Sequence, residues 1–149
     1  MHVAATTGLG FLLAVLWFDL MFDVQVVRHH EPVLPVGVLD SIAAYYRRVT
    51  TNARPMNRLI ALFMLVTLGA LLGEIIRDDV RARVAWTSLV LTAIGVGLAA
   101  ARTVRNAQRL GSQADTVERQ SALARGIFTD HIVCVIAIVS ALILQVAFA

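Results

Sequence analysis

Residues 126–149, GIFTDHIVCVIAIVSALILQVAFA, decide the fold. Beyond Asp130 and His131 the run is apolar except for Ser140 and Gln145, and it is long enough for the roughly 20 helical residues that a bilayer core requires. Working outward, three more stretches have the same character, which predicts spans at about 7–27, 57–76, 84–101 and 126–148. Of the 149 residues 58% are hydrophobic and 15% charged, whereas a soluble domain carries about 25% charged residues. The expectation is an all-α polytopic membrane protein, a four-transmembrane-helix bundle occupying residues 1–149 as one domain. The first stretch has no positively charged leader, carries two acids where a signal sequence would be unbroken, and is followed by no small-residue cleavage site, so it reads as a retained helix.

Ionisable residues inside such spans are the sharpest chemical signal. Asp19 and Asp23 interrupt GFLLAVLWFDLMFDVQVV (residues 10–27), and Asp130 with His131 opens the fourth span. A charged Asp at mid-membrane costs about 2.5–3.5 kcal/mol on insertion scales, so such groups face the bundle interior, find partners and mark function. All thirteen basic residues are arginine. Arg28, Arg47, Arg48, Arg54 and Arg58 lie in or beside loop one, and Arg102, Arg105, Arg109, Arg119 and Arg125 in or beside loop three. The opposite side has Arg77, Arg81 and Arg83, offset by Glu74, Asp78 and Asp79. The positive-inside rule then predicts a multi-pass protein with loops one and three cytoplasmic and both termini outside; the expected compartment is a cell inner membrane, bacterial if the resemblance given below holds.

That orientation puts Asp19, Asp23, Asp130, His131 and the start of the second span (Asn57, Arg58) at one level. Asp19 and Asp23, four apart, share a helix side. In the fourth span Asp130, Cys134, Ala137, Ala141 and Gln145 form a small-or-polar stripe, the natural inward face. Gly69 and Gly73 make a GxxxG pair suited to close helix approach in lipid, with Gly97 on a similar edge of the third span. Arg58 lies about 20° from Gly69 in projection, which makes it the expected partner of Asp19 or Asp23. Glu74 and Gln145 are read as standing alone in the outer half.

Loop one should hold an interfacial helix capped by Asp40, with Ile42, Tyr45, Tyr46 and Val49 on its apolar side and Arg47, Arg48 and Arg54 reaching headgroups. Loop three should be a helical hairpin about Gly111-Ser112, with Asp115 capping its second arm and pairing with Arg119. His29-His30 resembles a ligand pair, but adjacent helical positions point about 100° apart and these lie in a loop beside acid and proline. Walker loop, dinucleotide fingerprint, CxxC, HExxH and nucleophile-elbow motifs are all missing, which leaves hydrolase and dithiol readings unsupported. The basic residues flank spans, so nucleic acid is not an expected partner.

The layout resembles small bacterial four-helix membrane proteins of the anthrone-oxygenase-like group. The likeness rests on the second span opened by R-P-M-N-R (54–58), the polar third loop, and R-G-I-F-T-D-H (125–131) entering the fourth span. Leu16-Trp17-Phe18 is also similar to an L-W-F stretch of HemJ-type protoporphyrinogen oxidases. The resemblance implies a four-helix bundle with a redox or ligand-binding role, and no catalytic assignments.

Three functions compete. The first is an intramembrane site where Asp19, Asp23, Asp130 and His131, supported by Asn57, Arg58 and Cys134, bind a transition metal or a small lipophilic ligand. Its bland counterpart uses the same polar groups only to fix helix register. The second is an accessory or assembly subunit of a larger membrane complex, with a membrane-protein partner or a second copy besides the bilayer. The third is proton or cation transport along an Asp–His relay. Whether the chain is an enzyme is left open.

Overall fold

The computed structural model describes residues 1–52, 54–78 and 80–148, and of Arg54 the backbone only. Asp79, counted above among the acids, and the Arg54 side chain, assigned above to headgroups, fall outside that description. The described residues form helices α1 (His2–Asp23), α2 (Val36–Arg47), α3 (Arg54–Arg77), α4 (Ala82–Leu98), α5 (Val104–Ser112) and α6 (Val117–Phe148). A 3₁₀ turn, Val24–Arg28, prolongs α1, and π-helical turns follow α2 (Arg48–Asn52) and α4 (Ala99–Thr103). Four stretches are long and apolar enough to cross a membrane: His2–Arg28, Pro55–Arg77, Ala82–Ser112 and Val117–Phe148. Each contains one of the spans expected from the sequence, so the fold is an all-helical, polytopic four-span membrane bundle.

α1 packs on α3 and α6, and α4 on α6 and α3. The stripe expected on α6 turns inward: Asp130, Cys134, Ala137, Ala141 and Gln145 are all buried. Close approach between helices does not run through Gly69 or Gly97, where an added Cβ would meet open space, and at Gly73 it would meet only the Met1 side chain, 3.0 Å away. It runs through Gly8, where a Cβ would strike the Thr67 hydroxyl, and Gly95, where it would lie 3.7 Å from Ile138 and 3.9 Å from the Cys134 backbone. Helical spacing marks which residues share a face, but not the rotation of that face in the bundle, and the rotation puts Gly8 rather than the GxxxG pair at the α1–α3 crossing.

The arginine-rich end forms a compact head. Leu39, Ile42, Ala43 and Tyr46 of α2 pack against Ala107 and Leu110 of α5 and against Leu123, Ala124 and Ile127 of α6. The apolar face of α2 is therefore taken by protein rather than by a lipid leaflet, because α5 and α6 extend the bundle beyond the spans and offer it a better-packed surface. Gly111 makes the close fit: a Cβ there would lie 2.8 Å from the Arg47 backbone nitrogen. Arg47, expected at headgroups, instead donates through Nε to the Gly111 carbonyl (2.8 Å) and through a terminal nitrogen to Gln113.

Two capping expectations are corrected. α2 starts after Pro35, not Asp40, whose carboxylate accepts from Gln113 Nε2 at 2.7 Å. Asp115 pairs with Arg109 across the turn (2.7 Å), not with Arg119, and the Thr116 hydroxyl accepts the Arg119 amide. The hairpin itself is present. Its turn places Gln113 in the left-handed region, φ 52.

Candidate functional site

α1 delivers Asp19 and Asp23 from one side, and α6 delivers His131 from the other. His131 Nδ1 and Asp23 Oδ2 are 2.6 Å apart, and His131 Nε2 lies 3.7 Å from Asp19 Oδ2. The imidazole is thus held between two carboxylates. α2 supplies two phenols from above: Tyr45 donates to Asp19 Oδ1 and Tyr46 to Asp23 Oδ1, each at 2.7 Å. Phe22 stacks on Tyr45 with ring centroids 4.1 Å apart. Asp23 is fully buried, and the Asp19 side chain keeps 15% of its exposure. In lipid an unsatisfied carboxylate oxygen is expensive, and each oxygen of Asp23 has a partner.

Burial, and next the carboxylates, push both tyrosine hydroxyls far above the ordinary phenol range, so they stay protonated and keep donating.

Asp130, adjacent to His131 in sequence, points elsewhere. One oxygen accepts from Arg102 Nε (3.0 Å) and the Thr103 hydroxyl (3.1 Å), and a terminal nitrogen of Arg102 pairs with the other. This bidentate ion pair locks α6 to the π-helical turn after α4, whose wider winding brings both Arg102 and Thr103 to one carboxylate. Arg58, the expected partner of Asp19 or Asp23, is exposed and pairs with neither. Its place is taken by His131 of α6 and by Tyr45 and Tyr46, whose loop position gives no sequence signal for reaching into the span.

Asn57 reaches back through Nδ2 to the Thr50 carbonyl (2.7 Å) and ties the π turn after α2 to α3. Cys134 is buried and lies 3.5 Å from the Gly95 carbonyl, as a small core residue would. A small cavity of about 60 Å³, apolar except where His131 and Cys134 border it, sits below the imidazole.

Glu74 and Gln145, read above as standing alone, meet at the opposite end. Gln145 Nε2 donates to Glu74 Oε2 at 2.9 Å, and the Gln145 carbonyl oxygen is 3.0 Å from His2 Nδ1. His2 Nδ1 also lies 3.5 Å from Glu74 Oε1. The sequence reading missed His2 because it precedes the predicted first span.

The four expected donors therefore split into an Asp19–Asp23–His131 group closed by Tyr45 and Tyr46, and an Asp130–Arg102–Thr103 group. Among the described residues, no three His, Cys, Asp or Glu side chains are arranged to hold one metal ion. Such a bundle, its membrane acids turned inward onto its own phenols, imidazole and guanidinium, is a helical membrane protein whose polar groups tie helices together. The model of the SHR3 chaperone family, described as ER membrane protein SH3, matches residues 3–148, and the chain belongs to that family. No curated protein and no solved structure matches it.

The family overturns several expectations. The chain is not of the anthrone-oxygenase-like or HemJ-type groups, whose resemblance rested on features that many four-helix membrane proteins share. An ER membrane family replaces the bacterial inner membrane, and with it the compartment in which the termini and loops were oriented. The arginine asymmetry between the two sides of the bundle does not name the membrane. A chaperone family also displaces the metal, lipophilic-ligand and redox reading of the Asp/His group.

Proposed function

We propose that residues 1–149 act as one transmembrane domain of an accessory chaperone in the ER membrane, assisting the folding or packaging of other membrane proteins. The observation that carries this reading is the family match over nearly the whole chain. The chemistry of the polar groups agrees: Asp23, Asp130 and His131 are buried and spent on internal partners, as suits a scaffold that must hold its own helices while client helices pass beside it. In this reading Asp19, Asp23 and His131, with Tyr45 and Tyr46, are positioning residues that latch the head to the spans. Asp130 with Arg102 does the same for α4 and α6.

The test is depletion of the chain in its host, with the surface delivery and ER retention of multi-span proteins measured, together with cross-linking of the tagged chain to nascent membrane proteins. A chaperone gives retained clients and client adducts, rescued by the wild-type chain. Unchanged delivery with no adduct in the membrane overturns the proposal. The same purification shows whether a second copy accompanies the chain.

A further inference from the structure

Along the seam between α1 and α6, on the side facing away from Asp19 and Asp23, a trough of about 370 Å³ is lined without a polar side chain, by residues including Trp17, Met21, Val24, Phe128 and Ile132. Trp17, Met21 and Val24 are more than half or about half exposed, at 66%, 57% and 50%. Phe128 also borders a second recess, of about 430 Å³, whose polar rim is His29, His30, Arg125 and Thr129. On α6 the residues 125, 128, 129 and 132 recur at helical spacing, so the two recesses lie end to end along one face. One end is apolar at membrane depth, and the other is basic at the arginine-rich boundary.

At that boundary the Arg125 guanidinium is held by backbone carbonyls. Arg125 donates to three backbone carbonyls, those of Val26 (3.5 Å), His29 (2.9 Å) and Glu31 (2.5 Å), and none of its described ion-pair distances falls within 4.0 Å of a carboxylate. Carbonyl dipoles fix the guanidinium in place without neutralising it. Exposed Arg28 stands at the end of the adjoining 3₁₀ turn. A fixed cation with neighbouring imidazole donors suits a phosphate diester, and the trough beneath suits a hydrocarbon chain.

We propose that this seam binds one glycerophospholipid, its phosphate at Arg125, His29 and His30 and an acyl chain in the trough, with anionic headgroups preferred. The inference does not depend on the chaperone reading. It is tested on the detergent-purified full chain by native mass spectrometry, titrated with phosphatidylserine, phosphatidylcholine or inorganic phosphate. A one-to-one phospholipid adduct is expected, with phosphatidylserine favoured about fivefold over phosphatidylcholine, as one basic side chain near an anionic headgroup supplies. No adduct is expected with inorganic phosphate.

Because Arg125 also holds the loop, the informative variants are His30→Gln at an exposed position and Ile132→Trp in the trough. H30Q should narrow the preference between the lipids, and I132W should weaken both alike. Equal adducts in wild type and I132W, or binding of phosphate alone, overturn the proposal. So does a photoreactive residue at position 21 in intact membranes that yields protein adducts and no lipid adduct, since a client helix would then be the occupant.

Discussion

Tyr46 and Asp23 stand 23 residues apart in the chain and 2.7 Å apart in the structure. A phenol that donates to a fully buried carboxylate does more than a surface hydroxyl would. Removing it leaves Asp23 Oδ1 without a donor, so Tyr46→Phe should lower stability by about 1.5–3 kcal/mol, the range for hydrogen bonds to charged groups. Tyr45→Phe should cost less, because Asp19 retains some exposure. Thermal unfolding of both variants in one detergent checks the order; equal losses, or none for Y46F, contradict it.

The only two tyrosines of the chain are in this latch, so phenolate absorbance reports on them alone. Both hydroxyls are raised above their ordinary range, first by burial and then by the carboxylates. Each therefore contributes stability that is present below the ordinary phenol pKa of about 10 and is lost as pH rises beyond it. Folded protein at pH ~11 should show no phenolate signal, although a free phenol would be mostly ionised there. A midpoint near 10 while the helices remain intact would mean that the latch is open to water. At this scale the sequence disclosed Asp19, Asp23, Asp130 and His131 as candidates, since acids and a histidine in apolar runs are conspicuous, but not that Asp130 turns to a separate partner. It concealed their phenol partners, because an aromatic residue in a loop gives no sign of where it reaches.

Between elements, contact depends on surfaces that approach closely. α2 meets α5 where Gly111 leaves no room for a side chain, and the Arg47 guanidinium closes the same junction. Gly111→Val should force the two helices apart at a cost of about 1–3 kcal/mol, in the range for overpacking. Gly69→Val, by contrast, should be tolerated by the isolated chain because its Cβ would meet open space. Limited proteolysis of the head and thermal stability distinguish the two; equal sensitivity would refute the assigned packing. If position 69 is instead where a client helix packs, G69V would spare the fold and reduce client cross-linking.

Element existence was legible from hydrophobic runs and from the lack of proline in loop three. Element rotation was not. The GxxxG spacing places Gly69 on a packing face and projection adds Arg58 to it, yet both are exposed, since a motif and a period give relative angles and no origin.

For the whole molecule, the two polar groups at the head and the Glu74–Gln145–His2 group at the far end brace the bundle like clasps. Glu74→Gln replaces the carboxyl group at the far clasp by an amide that still accepts a hydrogen bond. It should leave the head intact, with Y46F and E74Q losses adding within about 0.5 kcal/mol because the sites share no partner. Strong non-additivity would show the ends to be coupled.

By itself, the sequence determined that this is a helical membrane protein of four spans with acids and a histidine turned inward. Hydropathy and the cost of burying charge in lipid are local properties that a single chain displays. The tertiary structure alone decided which partners those groups take: His131 between two aspartates, phenols descending from α2, and Asp130 turned away to Arg102. Such pairings join residues up to 108 positions apart, and they depend on how each helix is rotated and where the π turns fall, quantities set by packing rather than by any one segment.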